Sequence, residues 1–283
     1  MPKIAVSDGE LYYEEFGSGD EIIVSAQMDF TGRAYPRLLA EAPSRYRVLQ
    51  FWLRGYGQST PVTTDLGRGW YPQWAEDIYQ ATQALNLGRF IYTGVSHGSG
   101  VGWHLALAHP ETLKGFVAVV GAPHSRAGGL ESSAGRREML GAGADPDRLR
   151  ASISAAYPIV STDPQRQLQH EEMIERQVAG MLDPDRPRWN QGKPLPQAVN
   201  DEQLAALLTQ VTVPTLLVCG IQDTIITPEM VLLAGRSVPG ARTVFFQDYG
   251  HELSGLNPGP VMDQVRLFVD ELNAQLRRMK AHA

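Results

Sequence analysis

The feature that most narrows the folds open to this chain is a repeated alternation. Short, nearly continuous apolar runs are separated by longer stretches with helical spacing. Most of the runs Arg47–Phe51, Phe90–Gly94, Gly115–Val120, Thr215–Gly220 and Arg242–Gln247 have the composition of strands buried on both faces. Between and around them, Tyr35–Glu41, Gln73–Leu85, His97–Ala108, Pro228–Val238 and Gly259–Met279 read as helices. Strands separated by helices predict an α/β fold, with a mostly parallel sheet covered by helices on both faces. Two earlier strands, Glu10–Glu15 and Glu21–Ser25, are joined by short links and carry polar residues at alternate positions, so they are expected at an antiparallel edge.

One interval breaks this rhythm. From Pro123 to about Val211 no strand is evident, and the stretch holds helical patterns at Leu130–Leu140, Pro146–Tyr157, Gln165–Leu182 and Asp201–Gln210. A proline-rich, charged loop, Asp183 to Trp189, divides them. A structureless connection of that length does not suit a compact domain. The expected organisation is therefore one sheet domain in two segments, 1–122 and 212–283, with a helical insertion over 123–211.

Composition removes several classes of function. The chain has 283 residues and a formal net charge of −6, with no lysine- or arginine-rich block. The basic footprint of a nucleic-acid-binding protein is therefore missing. No stretch approaches the roughly 20 apolar residues of a membrane span, and the first residues lack a signal-peptide core. The single cysteine, Cys219, cannot form an internal disulfide, which fits a reducing, cytoplasmic setting. No His-Glu-x-x-His pair or cysteine cluster suggests zinc, and no Gly-x-Gly-x-x-Gly follows the first strand, so neither a metal nor a nicotinamide cofactor is expected.

The sharpest local signal is Phe90-Ile91-Tyr92-Thr93-Gly94-Val95-Ser96-His97-Gly98-Ser99-Gly100. An apolar strand runs into Gly-x-Ser-x-Gly and then into a helix, the context of a nucleophile elbow. A strand that reverses into a helix so abruptly brings the positions two before and two after the serine into near contact. Both are glycine here, Gly94 and Gly98. The bland alternative is a glycine-rich turn with Ser96 as a simple cap. A serine hydroxyl needs a base, and that base needs an orienting acid.

Of the seven histidines, His97 begins the helix, His104 and His109 lie farther along it, and His124, His170 and His282 belong to the insertion or the tail. His251 alone follows a late strand, after the Tyr249-Gly250 turn, where a loop can project its ring over the sheet edge. The acid is sought after the preceding strand, and Asp223 occupies that loop. Asp248, so close to His251 that it would point elsewhere, is the second choice.

These residues resemble those of the α/β-hydrolase superfamily, in its branch of small serine hydrolases with a helical cap. The resemblance rests on Gly94–Gly98, on Val213–Gly220 with Asp223, on Gly250-His251, and on Arg54-Gly55-Tyr56-Gly57-Gln58-Ser59. It implies that Ser96 is the nucleophile, His251 the general base and acid, and Asp223 the orienting carboxylate. It also implies that 123–211 is a cap roofing the nucleophile, while Arg54–Ser59 is structural. Members usually carry His-Gly after the strand matching Glu21–Ser25, where this chain has Ala26-Gln27. The oxyanion donors expected from the resemblance are the backbone N–H of His97 and that of Met28, with Gln27 next. The family's usual aspartate two residues before Arg54 is replaced by Trp52, read chiefly as core packing. Phe30, Trp52 and Trp189 are candidates to line a pocket. Met139, Tyr157, Met173 and Met181 are weaker candidates, since such residues at helical spacing are more often core.

The expected activity is hydrolysis of a small-molecule ester or lactone through an acyl-enzyme on Ser96. Two alternatives use the same triad: carbon–carbon bond hydrolysis of β-diketone-like substrates, and a small-molecule receptor with slow turnover. Oligomeric state leaves no trace in the sequence.

Overall fold

A computed structural model describes residues 2–28, 35–183 and 189–281. Its strands are β1 (Lys3–Val6), β2 (Gly9–Phe16), β3 (Ile22–Gln27), β4 (Arg47–Trp52), β5 (Phe90–Val95), β6 (Leu113–Val119), β7 (Thr215–Gly220) and β8 (Arg242–Phe246). Among the described residues they form one sheet in the order β1-β2-β4-β3-β5-β6-β7-β8. The pairs β1–β2 and β2–β4 are antiparallel, and every pair from β4 to β8 is parallel. The expected α/β architecture is therefore correct, with two differences at the amino-terminal end.

The first is β1, a four-residue edge strand whose side chains alternate between exposed and half-buried. Its apolar run, Ile4-Ala5-Val6, is only three residues long. The second is β3, expected at the antiparallel edge but placed near the middle of the sheet, parallel to both β4 and β5. Its inner residues Ile23, Val24, Ser25 and Ala26 are all buried. Burial on both faces, not the shortness of the link to β2, decides where the strand goes.

Two layers of helix cover the sheet. The helices are α1 (Tyr35–Leu38), α2 (Trp70–Ala84), α3 (His97–Ala108), α8 (Pro228–Ser237), α9 (Leu253–Leu256) and α10 (Pro258–Ala281). Helices α2, α3 and α8 join alternate strand residues such as Val24, Leu49 and Tyr92 in one apolar cluster. Helices α1 and α10 pack on the opposite face, against Ile23, Val48, Ile91 and Val117. Neighbouring residues of one strand thus enter opposite cores, as the period of two requires. Arg54 anchors the turn after β4: its guanidinium donates to both oxygens of Asp77 at 2.6 and 2.7 Å and to the carbonyls of Ser7 and Asp8.

Between β6 and β7 lie α4 (Ala134–Gly141), α5 (Pro146–Ala156), α6 (Pro164–Leu182) and α7 (Asp201–Leu208). Helices α5 and α6 start at the same device. Asp145 and Asp163 cap them by accepting backbone N–H groups, and the proline that follows has no N–H left unsatisfied. Leu149, Ile153, Ile174, Val178 and Met181 close a small apolar cluster separate from both sheet cores. The chain leaving β6 and the chain returning towards β7 are stitched together by one side chain. Buried Arg126 donates to the carbonyls of Pro194, Leu195 and Ala198 from across the gap, and to that of His124 on its own side. Asp201 completes the stitch, accepting from the Ser125 hydroxyl and the Arg126 N–H.

Candidate active site

The carboxyl ends of β5, β7 and β8 bring three distant residues into line. At the β5–α3 junction the backbone of Ser96 is forced to φ 49 and ψ −109, a region that non-glycine residues rarely occupy. The local reason is the closeness of the two chain segments. A Cβ added to Gly94 would lie 2.2 Å from the Gly98 carbonyl carbon, and one added to Gly98 would lie 2.4 Å from the Ala26 oxygen. The elbow is held from the neighbouring strand by the Gln27 side chain, whose amide donates to the Val95 carbonyl and whose oxygen accepts the Gly98 N–H, both at 3.1 Å.

Ser96 is half-buried, and its Oγ lies 3.0 Å from His251 Nε2. His251 Nδ1 lies 2.8 Å from Asp223 Oδ2. A carboxylate can only accept, so Nδ1 carries the ring proton and the neutral Nε2 is left to accept from the serine hydroxyl. The other oxygen of Asp223 accepts the backbone N–H groups of Ile225 and Ile226, each at 2.8 Å. Both orienting groups are shielded from water, with the Asp223 side chain wholly buried and that of His251 5% exposed. Low local polarity of this kind strengthens a fully satisfied hydrogen-bond chain.

The second-choice acid, Asp248, is exposed, and its backbone carbonyl accepts from Arg166. Among the other histidines, His104 accepts the Leu195 N–H, His109 pairs with Glu76, and His170 donates to the Tyr157 carbonyl. His97 directly follows Ser96 and is the first residue of α3. Met28 follows β3 and is buried in the apolar core that contains Val24 and Tyr92. Among the described residues, neither Trp52 nor Trp189 is in the walls of a cavity of about 480 Å³ that Thr224 and Ile225 border. The Trp52 ring covers Gly57 and meets Tyr12 edge-on, while Trp189 stacks on Trp70 at 5.8 Å. Phe30 lies outside the described residues. Met139, Met173 and Met181 belong to the insertion's own cluster; Tyr157 packs there too and also meets the His251 ring edge-on at 5.6 Å.

Sequence reasoning passed over His124. It lies just past β6, and burial, Lys193 and His251 together push its pKa down to about 3, so it stands as a neutral imidazole beside the triad. Its position after an apolar run gave no local cue, because its neighbours in space come from the loops after β7 and β8 and from the stretch near residue 193.

The model of the alpha/beta hydrolase fold family matches residues 30–258, most of the chain. The chain belongs to that family. Among curated relatives of this alpha/beta hydrolase is "Putative carbamate hydrolase RutD" of Azorhizobium caulinodans, 26% identical over 279 residues, covering 96% of this chain and all of that one. Another is the pimeloyl-[acyl-carrier protein] methyl ester esterase of Vibrio atlanticus, 24% identical over 270 residues and covering 93% and 96% of the two chains. Among solved structures, the enol-lactonase of Burkholderia xenovorans LB400 shares the fold with a TM-score of 0.70 at 20% identity, over 95% of this chain and all of that one.

Proposed function

We propose that the chain is a serine hydrolase that cleaves a small-molecule ester or lactone through an acyl-enzyme on Ser96. The observation that carries this reading is the unbroken contact series Ser96 Oγ–His251 Nε2–Nδ1–Asp223 Oδ2, at 3.0 and 2.8 Å. His251 takes the hydroxyl proton as Ser96 attacks the carbonyl carbon. The developing oxyanion is held by the N–H of His97 and a second N–H at the end of β3, from Met28 or Gln27. His251 then delivers the proton to the leaving alkoxide, and the acyl-enzyme is hydrolysed by water that the same imidazole activates. Asp223 fixes the tautomer and stabilises the imidazolium. Residues 123–211 act as the cap: they exclude water from the site and shape the pocket. The names of the two curated relatives, a putative carbamate hydrolase and a methyl ester esterase, and of the structural neighbour, an enol-lactonase, support a hydrolase of this class.

Mass spectrometry after treatment with a fluorophosphonate tests the assignment. The expected result is a single adduct on Ser96, lost in Ser96→Ala. A folded sample that cleaves p-nitrophenyl esters yet carries no adduct on Ser96 would overturn it.

A further inference from the structure

A cavity of about 480 Å³ opens between the insertion and the carboxyl edge of the sheet. Several of its walls border the triad. Thr224 and Ile225 line it directly after Asp223, and the Ile225 N–H is one of the two that Asp223 Oδ1 accepts. Ala156 lines it just before Tyr157, whose ring touches His251. His124 lines it within the electrostatic reach of both His251 and Asp223.

Lys193 is the unusual wall residue. It is only 5% exposed, yet among the described residues it has no ion-pair partner. Its ammonium donates to two backbone carbonyls, Ser125 at 2.6 Å and Ala127 at 3.3 Å, which leaves one of three N–H bonds unspent. The acidic residue that acts on it, Asp201, has both oxygens engaged by the Ser125 hydroxyl and the Arg126 N–H. Burial lowers the pKa of Lys193, and Arg126 and Arg137 lower it further. Arg137 lines the same cavity, and the one carboxylate on its wall among the described residues, Glu138, is exposed to solvent. A buried cation without a counter-charge is costly in an empty site and is relieved by an incoming anion.

We propose that this cavity receives a carboxylate of the substrate, held by Lys193. On the hydrolase reading above, the ester or lactone cleaved at Ser96 then belongs to the class that carries a second, free carboxylate, such as a half-ester of a dicarboxylic acid. A cavity of this size takes a short acid chain, and a charge-assisted hydrogen bond at its wall selects the ionised form over a neutral isostere.

Two ester pairs place the charge on opposite sides of the scissile bond. Mono-p-nitrophenyl glutarate against p-nitrophenyl valerate tests the acyl side, and 4-acetoxybenzoate against phenyl acetate tests the alcohol side. In one pair the charged-to-neutral ratio of kcat/KM is expected to fall by about tenfold or more in Lys193→Met and to be retained in Lys193→Arg. Calorimetry on the wild-type protein gives a readout that needs neither turnover nor a variant: glutarate binds and glutaramide does not. Ratios unchanged in both pairs, or absence of glutarate binding, overturn the subsite. Neutral esters cleaved with no charge preference would sink this inference alone. No turnover of any ester and no Ser96 adduct would instead sink the hydrolase reading, and glutarate binding would still decide the subsite.

Discussion

Around Ser96 the backbone leaves almost no free space, whereas α4, α5 and α6, between β6 and β7, rest on a small apolar cluster of their own. The elbow is specified by close approach. Gly94, Gly98 and the strained serine are each dictated by atoms a few ångströms away, and Gln27 ties them to the adjacent strand. The insertion is specified by caps, a separate core and a few polar stitches, so many sequences could build it. Chemistry common to a fold can reside in the first kind of structure, and substrate choice in the second.

The largest expected effect lies in the first region. Asp223→Asn replaces the acceptor that fixes the His251 tautomer, and kcat/KM for a p-nitrophenyl ester should fall by about 10⁴-fold with little change in Tm. Steady-state kinetics beside a thermal melt checks both halves of that statement.

A second test sets stability in one region against stability in the other. Gly94→Ala forces a methyl against main chain that cannot move aside, and Ile153→Ala leaves a void in the insertion's cluster, worth about 2–5 kcal/mol. The glycine variant should lose global stability in a denaturant titration and lose the fluorophosphonate adduct. The isoleucine variant should raise hydrogen exchange in α5 and α6 while β5 to β7 stay protected, and should still label Ser96. If Ile153→Ala instead exposes the sheet equally, the two regions are one cooperative unit.

The smallest effect is pH dependence at the seam between the regions. His104 accepts the Leu195 N–H and so must be neutral, and burial, then Arg126, lowers its pKa to about 4. The unfolded chain takes up that proton near pH 6.5, while the folded chain refuses it until about pH 4. Stability is therefore complete above about 6.5 and declines as pH falls towards 4. Tm should drop over that window, and His104→Gln should flatten the drop by one proton's share.

The same contrast explains what could be read from the chain. The parallel strands were legible because burial on both faces leaves unbroken apolar runs, as at Thr215–Gly220. Ser96 and Asp223 were legible because each follows such a run; His251 was legible from its place after the last strand and the Tyr249-Gly250 turn, although β8 itself is only half-buried. The strand β1 was not, since its apolar run of three residues is short and sits on an exposed edge, and β3 was misplaced because its link to β2 says nothing of its final neighbours. Lys193 and the Gln27 side chain were missed for a different reason. Their partners lie 68 and 71 residues away in the chain, and the signal exists only after folding.

Arg126 has a consequence for how such molecules diversify. Its guanidinium grips both legs of the insertion, one just past β6 and the other ahead of α7, so the helices hang from a closed collar rather than from two independent strings. A collar lets the contents above it be exchanged without disturbing the machinery below, provided both legs travel together. A chimaera that transplants residues 124–201 as one piece would keep its own fastening, whereas one that swaps single helices would inherit half of a knot.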